Sequence, residues 1–213
     1  MSRNARASAE AARALPPATG TLREGDALAI ADRVLDRAAC ALLVIDLQEA
    51  YRDKLQGEAR VIAASQRVLQ AAAILGVPVV VTEQYPKGLG PTREEIAALV
   101  PPGSACFEKT TFSALGAPGL REHLAAIGRR QIAIVGIETH VCVSQTTHEL
   151  LAAGYSVHAL RDAISARHAP DDETGFAKLV GSGAVPSTSE CALFEWLRDA
   201  RAPEFKAIHR LVV

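Results

Sequence analysis

Residues Gln131–Gly154, Q-I-A-I-V-G-I-E-T-H-V-C-V-S-Q-T-T-H-E-L-L-A-A-G, decide how the chain is read. The apolar run Ile132–Val135 stops at Gly136; Thr139 is placed to cap a helix and Gly154 to end one. This pattern predicts a buried strand that turns tightly into a helix. Cys142 falls in the first helical turn, where backbone N–H groups lack intrahelical partners and carry partial positive charge. A thiol there is expected to have a lowered pKa and to act as a nucleophile.

Working outward, apolar runs and helical patterns alternate. Cys40–Leu47 reads as a strand buried on both faces, and Glu58–Gly76 as a long Ala-rich helix. Val77–Thr82 is the next strand, with Pro78 near its start, where a missing donor is tolerated. Gln84–Thr92, dense in Gly and Pro, reads as loop, Arg93–Leu99 as a short helix, and Ala105–Lys109 as a short strand. A helix over Gly119–Ile127 precedes the opening stretch. Tyr155–Leu160 (strand), Asp171–Val180 (helix) and Ala184–Pro186 (strand) follow it. Thr188 or Ser189 then caps a helix to about Ala200, and Pro203 opens a final short one. Alternation from Cys40 onward predicts an α/β fold with right-handed βαβ units and a mostly parallel sheet covered on both faces.

The 213 residues suit one such domain, and 49% hydrophobic content supports a sizeable core, built from aliphatic residues because aromatics are only 4%. A formal net charge of −1 gives no electrostatic reason to expect nucleic acid or a membrane surface as partner. Cys40, Cys106, Cys142 and Cys191 are widely spaced, without metal-ligand companions, which points to a reduced, cytoplasmic setting. Cys40, Cys106 and Cys191 read as core. No apolar segment is long enough for a membrane-spanning helix. Residues 1–36, rich in Ala and Arg, lack the apolar centre of a secretory signal. They read as a loosely docked arm with short helices, Leu28–Arg37 among them, before a domain over residues 37–213.

Ligands of open α/β sheets bind beyond the carboxyl ends of the strands. Polar residues that stop apolar runs are therefore the candidates. Asp46 ends the first strand, Lys109 follows Ala105–Glu108, and Cys142 follows Ile132–Val135, which puts all three at one sheet edge. A carboxylate that moves the proton, an ammonium that holds charge and a thiol form a nucleophilic set. The N–H groups of Val141 and Cys142 are placed to form an oxyanion hole. His148 lies six residues beyond Cys142 on another helical face, and His140 is expected to line the pocket or bond locally. There is no G-x-G-x-x-G after a strand, no P-loop and no G-x-S-x-G elbow.

Four stretches resemble the isochorismatase-like cysteine hydrolase family: L-L-V-I-D-L-Q at Leu42–Gln48, T-E-Q-Y-P-K-G-L-G-P-T at Thr82–Thr92, K-T-T-F-S-A at Lys109–Ala114, and G-I-E-T-H-V-C-V at Gly136–Val143. The second and fourth, with T-S-E at Thr188–Glu190, look like its isochorismatase domain-containing branch. The resemblance implies a six-stranded, Rossmann-like αβα sandwich, homo-oligomers (dimers, tetramers or larger), and an Asp/Lys/Cys triad that maps onto Asp46, Lys109 and Cys142. It also implies a cis peptide at Ile137–Glu138. Nicotinamidase-like members carry an Asp-x-His metal motif after the second strand. Here Glu83-Gln84-Tyr85-Pro86 stands there, so neither a metal nor another cofactor is expected. Gln84, Tyr85, Phe112, Thr139 and His140 are candidate substrate contacts by position.

The expected activity is hydrolysis of a small-molecule amide through a thioester on Cys142. The alternative is a binding module of the same fold with little or no hydrolase activity, and a redox role would need a second cysteine near Cys142. Fast alkylation of Cys142 near neutral pH is expected of the enzyme, and ordinary thiol reactivity of the module.

Overall fold

The computed structural model describes residues 32–213. β1 (Cys40–Ile45), α1 (Glu58–Leu75) and β2 (Val79–Gln84) come first, followed by the short helices α2 (Pro86–Leu89) and α3 (Glu94–Ala97). Next come β3 (Ala105–Lys109), α4 (Leu120–Ile127), β4 (Gln131–Ile137), α5 (Ser144–Ala152) and β5 (Ser156–Ser165). The chain ends with α6 (Ala169–Gly181), β6 (Val185–Ser187), α7 (Ser189–Leu197) and α8 (Phe205–His209). All six strands pair in parallel, in the order β3-β2-β1-β4-β5-β6. β1 and β4 form the centre, which explains why both sequences are continuous apolar runs: each is fully buried.

Successive side chains of a strand point to opposite faces, and the two cores follow this alternation. Cys40, Leu42 and Val44 of β1 join Ala133, Val135 and Ile137 of β4 under α1, α7 and α8. Ala41, Leu43 and Ile45 join Ile132 and Ile134 under α4, α5 and α6. The result is a three-layer αβα sandwich.

Several local expectations change. Residues 28–31 of the expected Leu28–Arg37 helix lie outside the described residues, as does most of the arm, and 32–37 form a turn rather than a helix. Leu35 is fully buried in the core and its N–H donates to Glu195 Oε2 (2.8 Å), so these residues belong with the domain. Cys106 and Cys191 are exposed rather than core: β3 is an edge strand that alternates in burial, and Cys191 sits on the outer side of α7. Within Gln84–Thr92, Pro86 starts a helical turn, as its fixed φ favours.

β5 runs past Leu160 by means of a bulge. Ala159 pairs with Ile134 and Ile164 with Gly136, so Leu160, Arg161, Asp162 and Ala163 stand opposite Val135 alone. At the same level β4 approaches β1 very closely at Gly136. Its φ is +120°, and a Cβ there would lie 2.0 Å from the Ile45 carbonyl oxygen. Gly136→Ala is therefore expected to destabilise the domain by about 3 kcal/mol or more, because the obstacle is backbone and cannot swing aside. Urea unfolding of the variant against wild type measures this, and a loss below about 1 kcal/mol would contradict it.

Candidate active site

Asp46 follows β1 with φ +53°, a conformation that turns its side chain from the strand row into the space beyond the sheet. Its Oδ1 accepts the Thr82 hydroxyl (2.8 Å) and its Oδ2 accepts Lys109 Nζ (2.6 Å). Lys109 closes β3, two strands away, and its long stem reaches across β2. Nζ also meets Gln84 Oε1 (2.6 Å), the carbonyls of Phe112 (3.2 Å) and Thr111 (3.3 Å), and Cys142 Sγ (3.5 Å). Asp46, Lys109 and Cys142 are 2%, 3% and 6% exposed, so the structure gathers the three candidates into one buried cluster.

Cys142 reaches that cluster by a wide turn. Thr139–Val143 forms a π-helical turn ahead of α5, and the Glu138 carbonyl accepts both Val141 N–H (3.0 Å) and Val143 N–H (3.2 Å). The Val141 amide, expected to face an oxyanion, is thus already engaged. The Ile137–Glu138 peptide is cis. Thr139 does not cap the helix as expected; its hydroxyl donates sideways to Asp172 Oδ1 of α6 (2.5 Å).

The electrostatics reverse the expectation for the thiol. Burial, then the Asp46 carboxylate beside it, push Cys142 up to about 12 despite Lys109. The partial charges of one turn are outweighed by desolvation and by a carboxylate from another strand. Burial also raises Asp46, although Lys109 opposes the shift. The resting state is therefore a protonated thiol beside a carboxylate–ammonium pair. Iodoacetamide should label Cys142 of the free protein more slowly than an ordinary thiol at pH 8, and the rate should keep rising with pH beyond 9. Peptide-resolved alkylation rates check this, and a rate plateau below pH 9 would contradict it. Fast labelling at neutral pH thus no longer distinguishes enzyme from binding module.

Of the other candidates, Gln84 joins the buried cluster through Lys109, and its amide nitrogen donates to the Thr110 carbonyl (2.9 Å). Phe112 contributes its carbonyl, while its ring is largely exposed. Tyr85 is exposed and lines a neighbouring cavity of about 390 Å³ with Pro86, Lys87, Glu108, Lys109 and Pro118. His140 is half-buried on the turn, its Nε2 3.9 Å from Asp171 Oδ2. His148 bonds Ser144 O and Ser182 Oγ, away from the thiol.

The side chains of Tyr51 and Glu138 were given no role in the sequence reading. Tyr51, on the turn Glu49–Tyr51, is half-buried. Burial, and then the charge of Glu138, raise its phenol. Glu138 is buried and accepts both the backbone N–H (3.1 Å) and the Nε (2.9 Å) of Arg167. The only available signal was position: both follow strand ends of the central pair. Among the described residues no group of three or more His, Cys, Asp or Glu is placed to hold a metal ion.

The isochorismatase domain matches residues 40–191. Isochorismatase domain-containing protein 2 of Xenopus laevis is 37% identical over 180 residues, covering 84% of this chain and 86% of that protein. The chain belongs to the isochorismatase domain family. Isochorismatase domain-containing protein 1 of Danio rerio is 39% identical over 183 residues, 84% of this chain; the chain spans 62% of that longer relative. Among solved isochorismatase-like structures, the MAR1 ribonuclease from Caenorhabditis elegans superposes with a TM-score of 0.81 at 36% identity, covering 84% of this chain and 92% of that one. Among the described residues no helix is long and apolar enough to cross a membrane.

Proposed function

We propose that this protein is a cysteine-dependent hydrolase of small-molecule amides that works through a thioester. The observation that carries the reading is the buried cluster in which one ammonium, Lys109 Nζ, touches both the Asp46 carboxylate (2.6 Å) and Cys142 Sγ (3.5 Å). Asp46 takes the thiol proton as sulfur bonds the substrate carbonyl carbon, and the C=O π electrons move onto oxygen. A carboxyl raised by burial suits a group that must hold that proton. The Cys142 amide is the oxyanion donor, the Val141 amide being held by the Glu138 carbonyl. Collapse breaks the C–N bond, and Asp46 returns the proton to the leaving amine. Water then loses a proton to Asp46 and attacks the thioester carbonyl; as the C–S bond breaks, Asp46 returns that proton to the departing sulfur, which leaves the acid product and the Cys142 thiol. Lys109 keeps the negative charge of each stage compensated. Because the resting thiol is protonated, the S–C bond forms together with proton transfer, and no free thiolate waits for substrate.

The name of the C. elegans structure raises a nuclease reading. Phosphate favours uncommitted cations, whereas Lys109, the cation at the thiol, is engaged by Asp46 and Gln84. A panel of small primary and secondary amides, read by ammonia or amine release, with Cys142→Ala as blank and an RNA oligonucleotide alongside, tests the proposal. Thiol-dependent release from one amide class is expected. RNA cleavage that survives Cys142→Ala, with every amide inert, would overturn it.

A further inference from the structure

Behind the nucleophile turn lies an ion pair that the proposed chemistry does not use. The β5 bulge projects Arg161 towards α6, where its guanidinium grips Asp172 with both terminal nitrogens, Nη1 to Oδ1 at 3.2 Å and Nη2 to Oδ2 at 2.6 Å. The fork is fixed further: Arg161 lies over the Phe176 ring at 4.9 Å, and its own carbonyl is held by Arg60 Nη1 of α1 (2.9 Å). Asp172 is 5% exposed, and the same Oδ1 accepts the hydroxyl of Thr139 (2.5 Å), which is fully buried and opens the turn that presents Cys142. α6 comes this close only because Gly175 has no side chain. A Cβ there would lie 2.9 Å from His140 N and 3.0 Å from His140 Cα.

A half-buried ion pair is a weak source of stability, and a bulge interrupts the ladder. On α6 the buried residues are Asp172, Gly175 and Leu179, so a carboxylate stands where an apolar side chain would otherwise pack. Bulge, guanidinium fork, carboxylate and hydroxyl instead converge on one backbone segment, three residues before the sulfur. The geometry points to a positioning device: the Arg161–Asp172 pair, acting through Thr139, sets where Cys142 Sγ stands relative to Asp46 and Lys109. Its effect on turnover rests on the thioester reading, whereas its effect on the thiol does not.

Two near-isosteric variants test it. Asp172→Asn removes the charge that fixes Arg161, and Thr139→Val removes the hydroxyl donor. Below their unfolding temperatures, both should let iodoacetamide reach Cys142 at pH 8 at least about tenfold faster than in wild type, as the sulfur leaves its buried contacts. Peptide mapping separates this from labelling of the exposed Cys106 and Cys191. On the cognate amide, kcat should fall by about 10- to 100-fold with KM within about twofold, as expected when a nucleophile is misplaced by a fraction of an ångström. Thr139→Ser, which keeps the donor, should stay within about twofold of wild type in both readouts. Labelling at the wild-type rate in Asp172→Asn and Thr139→Val, with only a lower melting temperature, would reduce the pair to a structural tie and overturn the proposal. Accelerated labelling while wild type itself turns over no amide would leave the positioning role standing and remove the thioester reading.

Discussion

Cys142→Ala is expected to lower amide hydrolysis by about 10⁴-fold or more while leaving the fold intact, since removing the nucleophile of a covalent hydrolase leaves only binding and the oxyanion donors. No neighbouring group can substitute. The nearest hydroxyl in the turn, Thr139, is locked onto Asp172, and Asp46 is locked onto Lys109 and Thr82. The fold should survive because the carboxylate–ammonium pair does not depend on the thiol. Steady-state rates with a melting curve decide this. Cys142→Ser should be nearly as inactive, because a hydroxyl holds its proton more tightly than the thiol and Asp46 is no stronger a base for it. Either variant retaining a tenth of wild-type turnover would contradict the account.

Lys109→Met should have the largest combined effect. Methionine fills the stem but leaves the Asp46 carboxylate buried without its cation, and breaking a buried pair from one side costs about 3–5 kcal/mol. The sign of the pH dependence follows. Without Lys109 the folded-state pKa of Asp46 climbs well above its unfolded value of about 3.9, so the folded variant holds a proton that the unfolded chain has lost. Its stability is therefore greatest in acid and falls as pH rises through the new folded pKa. The deficit against wild type should be smaller at pH 5 than at pH 8. Asp46→Asn/Lys109→Met, with both charges gone, should regain most of the lost stability but none of the activity. Urea unfolding of the three proteins at the two pH values measures it, and a single variant as stable as wild type at pH 8 would show that the pair is not electrostatically coupled.

Asp46 was readable because the central strand β1 is an apolar run stopped by one polar residue, and Lys109 because it follows the short A-C-F-E segment. What joined them was not local. Lys109 finds Asp46 by spanning β2, a contact set by strand order, which no single segment encodes. The thiol was misjudged for the same reason: the first turn of a helix is visible in sequence, while the burial and the carboxylate that outweigh it come from other strands. β5 was expected to stop at Leu160, and Arg161 and Asp162 follow it in sequence. A bulge carries the strand past them and puts both side chains to use, Arg161 on Asp172 and Asp162 on Ser189. Cys106 and Cys191 were misread because alternation on an edge strand and the outer side of a helix look like a core run when read without their neighbours.

The most direct measurement is the intact mass of the protein, acid-quenched during turnover of the amide that the panel identifies. The account predicts a fraction of the protein heavier by the acyl group of that amide less one hydrogen, with the added mass on the peptide carrying Cys142 and absent from Cys142→Ala. Pre-steady-state release of one equivalent of amine should accompany it. Steady turnover with unmodified protein at every quench time, together with activity that persists in Cys142→Ala, would contradict it.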